Sequence, residues 1–467
     1  MRRPNILIFH SDHTRWDTLG CNGNTECQTP NIDRLAAEGA TFDHFFVQNP
    51  VCMPSRVSFL TGQYPGALGI LGNGVPVPED TPTAATALAN AGYRTGYVGK
   101  LHFLPHANRN HQETHPPYGF NHVQISDEPG IYEDAYRAWV RRKAPEQLAK
   151  TVLGKPPHAQ VWAKVVRFND GIKHPAERHR ERTAVWEADD DLTHSAFIGE
   201  ETISFIEENK DRPFFCVGGF FAPHPPWVAP KKFLDLYDPE KLSYPALPPE
   251  WEAKRQQNPI AESKTKATKH GFYARVSELD HHIGRVLKRL DELGLAENTI
   301  VIFTSDHGMC LGERVSWSIG MPEDCGTRVP FVIRWPKGFP SPGRTVSNIV
   351  EAVDVIPTLM RAAGVQPTPA MQGRSFLPLL NESAGGYQER PSALTESRKW
   401  KAVRSRDYRY VLYPNGNETL YDLKNDPAEY HSVTDDPAYA AILSDLRKEL
   451  GRRAIETQRK LPNPWSY

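Results

Sequence analysis

The chain lacks any long apolar run. None of its 467 residues falls in a stretch approaching the ~20 consecutive apolar residues of a membrane-spanning helix, so no membrane partner is expected. It also lacks a charge imbalance: 55 Lys and Arg stand against 56 Asp and Glu, leaving a formal net charge of −1. That removes a whole-molecule electrostatic case for nucleic acid or an anionic membrane, and any function must rest on local charge. Cysteine is scarce. Six residues at irregular spacings show neither a disulfide framework nor paired C-x-x-C metal knuckles. The N-terminus, "MRRPNILIFHSD", is too short in its apolar part for a secretory signal and has no small-residue cleavage site, so it reads as a strand. The chain as given therefore reads as cytoplasmic, or as periplasmic or secreted if a signal segment has been trimmed. There is no internal repeat and no low-complexity tract.

What is present is a set of short apolar runs with polar endings. "NILIF" runs into "HSDH", "TGYVG" into "KLH", "FFCVGGFF" into "APH" and "TIVIF" into "TSDH". Continuous runs rich in Ile, Val and Phe read as strands buried on both faces of a parallel sheet. In such sheets the ligand crevice lies outside the carboxyl ends of the strands, which would gather these polar endings on one rim. Between them, Thr29, Pro30 and Gly39 bracket one helix, and Thr83 to Ala91, closed by Gly92, forms another. Val276, Leu279, Ile283, Val286, Leu287, Leu290 and Leu293 recur at helical spacing just before "TIVIF". The expected fold is α/β, a doubly wound, mostly parallel sheet flanked by helices, with a smaller C-terminal α+β domain. Residues 1–380 form the expected catalytic domain. Within it, residues 105–190 look like an insertion over the rim, and residues 381–467 form the small domain.

The sharpest local signal is "VCMPSRVSFLTG", from Val51 to Gly62. Pro54 suits a first helical turn and Gly62 a helix end, which places Cys52 at a helix N-terminus among unpaired backbone N–H groups. Arg56, one turn in, could add a guanidinium fork to a bound oxyanion. On these grounds alone Cys52 could be an activated thiolate of phosphatase type. Two further pairs, Asp12-His13 and Asp306-His307, each follow an expected strand and offer the carboxylate and imidazole donors that divalent ions take. In "GKLH", Lys100 and His102 alternate along a strand end and so should point the same way. His224 sits in "FFAPHPPWVAP", a turn stiffened by prolines.

Cys-x-Pro-Ser-Arg followed by Leu-Thr-Gly resembles the signature of the sulfatase family, which belongs to the alkaline phosphatase superfamily. The resemblance runs through most of the chain, to "LYDLKNDPAEYHSV" near the C-terminus. It implies that a maturation enzyme oxidises Cys52 to formylglycine. It further implies that Asp12, His13, Asp306 and His307, with residue 52, hold one divalent ion, Ca²⁺ first and Mg²⁺ or Mn²⁺ as the other candidates. The family commonly has Asp-Asp where this chain has Asp12-His13, and a second imidazole shifts the preference from Ca²⁺ toward Mn²⁺. Lys100 and His102 match the family's Gly-Lys-x-His at the sulfate, and His224 the segment facing the leaving group. One expected residue is missing: the family places a Lys in a W-x-Lys-Gly context where this chain has Ile319.

The resemblance implies hydrolysis of a small-molecule or saccharide sulfate ester. The hydrated aldehyde of residue 52 would attack sulfur, Arg56 and Lys100 would stabilise charge, His224 would protonate the leaving alcohol, and His102 would take the proton that lets sulfate leave. Two other functions remain open. His13 and the missing Lys lean toward a phosphonate monoester or phosphodiester hydrolase of the same superfamily. A pseudo-sulfatase with unmodified Cys52 would only bind a sulfated ligand.

Overall fold

The computed structural model describes residues 3–105, 114–153, 183–381 and 386–458. Its centre is an eight-stranded sheet. In chain order the strands are β1 (Asn5–Ser11), β2 (Ala40–Phe42), β3 (Arg94–Gly99), β4 (His122–Ile125), β5 (Phe214–Gly219), β6 (Thr299–Ser305), β7 (Phe331–Arg334) and β8 (Arg344–Val346). In space they run β8-β2-β7-β6-β1-β5-β3-β4. Every neighbouring pair is parallel except those made by β7, which is antiparallel to both β2 and β6. The four apolar runs singled out in the sequence are β1, β3, β5 and β6, and they lie side by side.

Their composition follows from where they lie. Ile6, Ile8, Phe215, Val217, Ile300 and Ile302 pack into the core on one face of the sheet. Leu7, Phe9, Phe214, Cys216, Val301 and Phe303 pack into the core on the other. Alternate side chains serve opposite cores, so the middles of β1, β5 and β6 are continuously apolar. Each fully buried aliphatic side chain contributes roughly 1.5–3 kcal/mol. The first face is covered by helices Cys52–Thr61 and Val355–Ala362, through Val57, Phe59, Leu60, Ile356 and Leu359. The second is covered by helix His194–Glu208 and the long helix Ala261–Glu292, whose Leu279, Ile283, Val286, Leu287 and Leu290 form its apolar stripe. Helices on both faces make the fold doubly wound, as expected.

The shorter helices keep their sequence signals. Pro30 opens helix Pro30–Ala37. Thr83 caps helix Ala84–Asn90 with a reciprocal bond to Thr86, and Gly92 follows with φ 89°. The span 105–190 contributes to both the main sheet and the second core. His122–Ile125 is the edge strand of the main sheet, and helix Ala135–Lys143 buries Tyr136, Trp139 and Val140 in the second core. These aromatic residues belong to the body of the protein, although the surrounding Pro, His and Arg obscure them. Residues 106–113 and 154–182 of that expected insertion lie outside the described residues.

Beyond the large sheet, strands Ala393–Glu396, Lys401–Arg404, Tyr408–Leu412 and Glu418–Asp422 form an antiparallel sheet. Helix Ala440–Glu456 covers it, with Leu443, Leu446 and Leu450 packing on Leu394, Val403, Tyr410 and Leu420. Among the described residues no helix is long and apolar enough to cross a membrane.

Candidate active site

The site follows from one register. β1 and β6 pair in parallel with Ser11 opposite Ser305, so the two Ser-Asp-His corners leave the sheet side by side. The Asp306 amide donates to the Ser11 carbonyl at 3.2 Å, and the Thr14 amide donates to Ser305 Oγ at 2.9 Å. The neighbouring strand end contributes the Ala222 carbonyl, which accepts from the Asp12 amide at 3.2 Å. His13 leaves its corner with φ 69°, a left-handed conformation that a non-glycine residue holds at a cost.

Helix Cys52–Thr61 points its N-terminus at these corners. Val51 is the N-cap, Cys52 the first helical residue, and Gly62 closes the helix in the left-handed region. Cys52 Sγ lies 3.1 Å from His307 Nε2 and 3.7 Å from Asp12 Oδ1. His307 Nδ1 faces the Gly308 carbonyl at 2.9 Å, and a carbonyl can only accept. The proton is therefore on Nδ1, and Nε2 presents its lone pair toward residue 52. Ligand atoms of Asp12, His13, Cys52 and His307 all lie within 4.8 Å of one another, and all four residues are buried. A carboxylate, two imidazoles, one with its lone pair oriented inward, and the residue 52 side chain fit a divalent cation.

Asp306 stands beside that cluster. Its Oδ1 accepts from the amides of His13 at 3.2 Å and His307 at 2.8 Å, while Oδ2 accepts from Arg56 Nε at 2.8 Å. Arg56 is fully buried. Its Nη1 donates to the Lys100 carbonyl at 2.7 Å and its Nη2 to the Ser11 carbonyl at 3.2 Å. The guanidinium expected to grip an oxyanion is thus committed to holding the protein's own corners together. Lys100 Nζ lies 2.5 Å from Asp12 Oδ2 and over the Phe221 ring.

The expected strand-like alternation of Lys100 and His102 is not how they converge. β3 ends at Gly99 with φ 95°, and His102 takes φ 54°, so the segment is a turn. Asp127 Oδ1 holds that turn, accepting from the Leu101 amide at 2.9 Å and the His102 amide at 2.8 Å. His224 completes the group. Its ring centroid lies 4.6 Å from that of His13, which lies 4.6 Å from that of His307, and its Nδ1 donates to the Pro225 carbonyl at 2.6 Å. All nine residues named from the sequence come together here. Asp127, 25 residues from His102, was missed, and so was His10, whose ring packs 4.7 Å from Phe59. "HSDH" contained the second signal.

Burial pushes the Asp12 carboxyl up, but Lys100, His13, His224 and Arg56 outweigh it and hold the pKa well below the ordinary range. Burial and the Asp12 charge drive the Cys52 thiol well above its ordinary value, against Lys100. A thiolate nucleophile therefore has no support from its surroundings. Burial, then the Lys100 charge, lowers His102 to about 3, which keeps its imidazole neutral. Ile319 packs against the apolar cluster that includes Trp227, Phe272, Met309 and Leu311.

The profile of the sulfatase family matches residues 4–365, and that of the C-terminal part of N-sulphoglucosamine sulphohydrolase matches residues 321–456. The chain belongs to the sulfatase family. It is a sulfuric ester hydrolase by that membership. An arylsulfatase of Clostridium perfringens is 28% identical, covering 96% of this chain and 94% of its own length. Mouse iduronate 2-sulfatase is 27% identical, over 95% and 93%. Among solved structures, a phosphonate monoester hydrolase of Agrobacterium radiobacter superposes with a TM-score of 0.78 at 24% identity, over 97% of this chain and 96% of its own. A protein solved with its substrate D-glucosamine-2-N,6-O-disulfate gives 0.76 at 23%, over 98% of both chains. These two likenesses establish the sulfatase fold.

Proposed function

We propose that this sulfatase hydrolyses a sulfate ester at residue 52, with Cys52 oxidised to formylglycine by a maturation enzyme. The observation that carries this reading is the placement of Cys52 at a buried helix N-terminus, in contact with both Asp12 and His307. Formylglycine at this position, once hydrated, would offer a nucleophilic hydroxyl and a second one for release of the sulfuryl group. Asp12, His13, His307 and residue 52, with Asp306 alongside, would hold a divalent cation, whose positive charge would acidify a hydroxyl there.

The remaining work falls to the chain's own side chains. Arg56 locks Asp306 and the two strand ends in place, so the donors are fixed before substrate arrives. Lys100 balances Asp12 and presents positive charge beside residue 52. His224, held through Nδ1, faces the leaving alcohol as its acid. His102 would take the proton released as sulfate departs only in passing, because burial and the Lys100 charge hold its pKa at about 3 and disfavour the imidazolium.

Two imidazoles among the donors favour a transition ion that readily takes nitrogen ligands over Ca²⁺, which takes oxygen. Elemental analysis of the purified protein should find about one transition ion per chain, and calcium alone would refute the assignment. Cys52→Ala should abolish turnover of a nitrophenyl sulfate while circular dichroism stays unchanged. Mass spectrometry of the Cys52 peptide should show loss of sulfur. An unmodified thiol throughout would favour the binding-only pseudo-sulfatase.

A saccharide sulfate suits the relatives, one of which is an N-acetylglucosamine-6-O-sulfatase and another a protein solved with a disulfated glucosamine. Phosphonate monoester hydrolysis is the second reading, favoured by His13, by the apolar setting of Ile319, and by fold likeness to two phosphonate monoester hydrolases. Matched nitrophenyl sulfate and phosphonate substrates separate the two, because the faster should exceed the slower at least tenfold in kcat/KM.

A further inference from the structure

Away from the reacting atoms, the fold brings two further sulfurs together. Cys310 Sγ and Cys325 Sγ lie 3.3 Å apart, and both residues are buried free thiols. Several features hold them there. Cys310 lies three residues past His307, and its amide donates to the Ser318 carbonyl at 2.9 Å. The Gly308 amide donates to the Gly326 carbonyl at 2.9 Å, and a Cβ at Gly308 would meet the Cys325 carbonyl oxygen at 2.1 Å. Only glycine lets the two backbones run this close. Cys325 belongs to the short helix Asp324–Thr327, anchored to the C-terminal sheet by the ion pair of Asp324 with Arg404 at 3.2 Å.

The chain between the cysteines doubles back on itself. Arg314 and Val315 both sit at φ 53°, consecutive non-glycine residues in the left-handed region. Such backbone persists where its flanks are held. Cys325 also borders a pocket of about 530 Å³, together with Arg314, Arg328 and Tyr430.

We propose that Cys310 and Cys325 form a reversible disulfide that staples the loop after His307 to the helix Asp324–Thr327. The oxidant is a small-molecule disulfide of the glutathione class. Cys325 Sγ attacks one of its sulfurs, losing its thiol proton and breaking that S–S bond to release one small thiol, and Cys310 Sγ then attacks Cys325 Sγ in the mixed disulfide and releases the second. Two protein thiols lose two electrons and two protons, which leave on the two released thiols. Closing the bond shortens the present contact by about 1.2 Å, to the normal S–S length near 2.05 Å, a movement the irregular loop can supply.

Trypsin provides the test, because Cys310 lies on peptide Leu290–Arg314 and Cys325 on Val315–Arg328. The full-length protein is equilibrated with glutathione disulfide, alkylated and digested. The expected result is one cross-linked pair of these peptides, separated by reductant and absent from Cys310→Ser and Cys325→Ser. Oxidised wild type should unfold at a higher urea concentration than reduced wild type, and Cys310→Ser should show no such shift. Recovery of both peptides as alkylated thiols after oxidation, or of a glutathione adduct on Cys325 that never resolves, overturns the proposal. Cys52 lies on a separate peptide, Leu35–Arg56, so its state is read independently in the same digest.

Discussion

Arg56 has no exposed surface, yet its guanidinium reaches a carboxylate and two backbone carbonyls contributed by three separate strand ends. Removing it would strip the buried Asp306 carboxylate of its guanidinium partner. Arg56→Ala should therefore cost about 3–5 kcal/mol in urea unfolding, and metal content should fall with it. His194 makes a different prediction. Its ring is buried against Tyr136 and Phe197, and burial, then the Arg275 charge, lowers its pKa from 6.5 to about 3. The folded protein keeps this imidazole neutral, whereas the unfolded chain takes a proton below 6.5. Its contribution is thus present above pH 6.5 and lost as pH falls toward 3. Between pH 6.5 and 4.5 wild type should lose about 2–3 kcal/mol more than His194→Phe, read as urea midpoints at the two values. Contiguous residues carried what was legible here: Cys52 to Gly62 and the two Asp-His corners announce a site in sequence. The direction of Arg56 and the grip of Asp127 on residues 101 and 102 did not show, because both are tertiary contacts between remote segments.

At the level of elements, the site exists because parallel pairing of β1 and β6 is in a register that sets Ser11 against Ser305. Ser305 clips the two corners, accepting from the Thr14 amide and donating to the His307 carbonyl at 3.1 Å. Ser305→Ala would orphan a buried amide, at about 1–3 kcal/mol, and loosen His307. A lower Tm together with weaker metal retention is the expected outcome, and a lower Tm with unchanged metal affinity would show that the clip is purely structural. β1, β3, β5 and β6 could be read from sequence because burial on both faces leaves unbroken apolar runs. β2, β7 and β8 could not: three or four residues such as "ATF" or "RTV" carry no period.

On the scale of the molecule, buried ion pairs join the C-terminal segment to residues 351–354. Arg453 on the C-terminal helix reaches Glu351 at 2.8 Å, and Arg390 reaches Asp354 at 2.8 Å. Arg453→Met should strip Glu351 of a partner and destabilise by about 3–5 kcal/mol, and proteolysis should nick the C-terminal segment first. The depth of residue 52 has a consequence for the order of events in synthesis. Cys52 is 3% exposed, walled in by segments that include Asp306, so no modifying enzyme could reach its sulfur once β6 has docked. The proposed oxidation must then act on a nascent or still extended chain. Protein already folded with its thiol intact should stay unconverted however long it is incubated with such an enzyme.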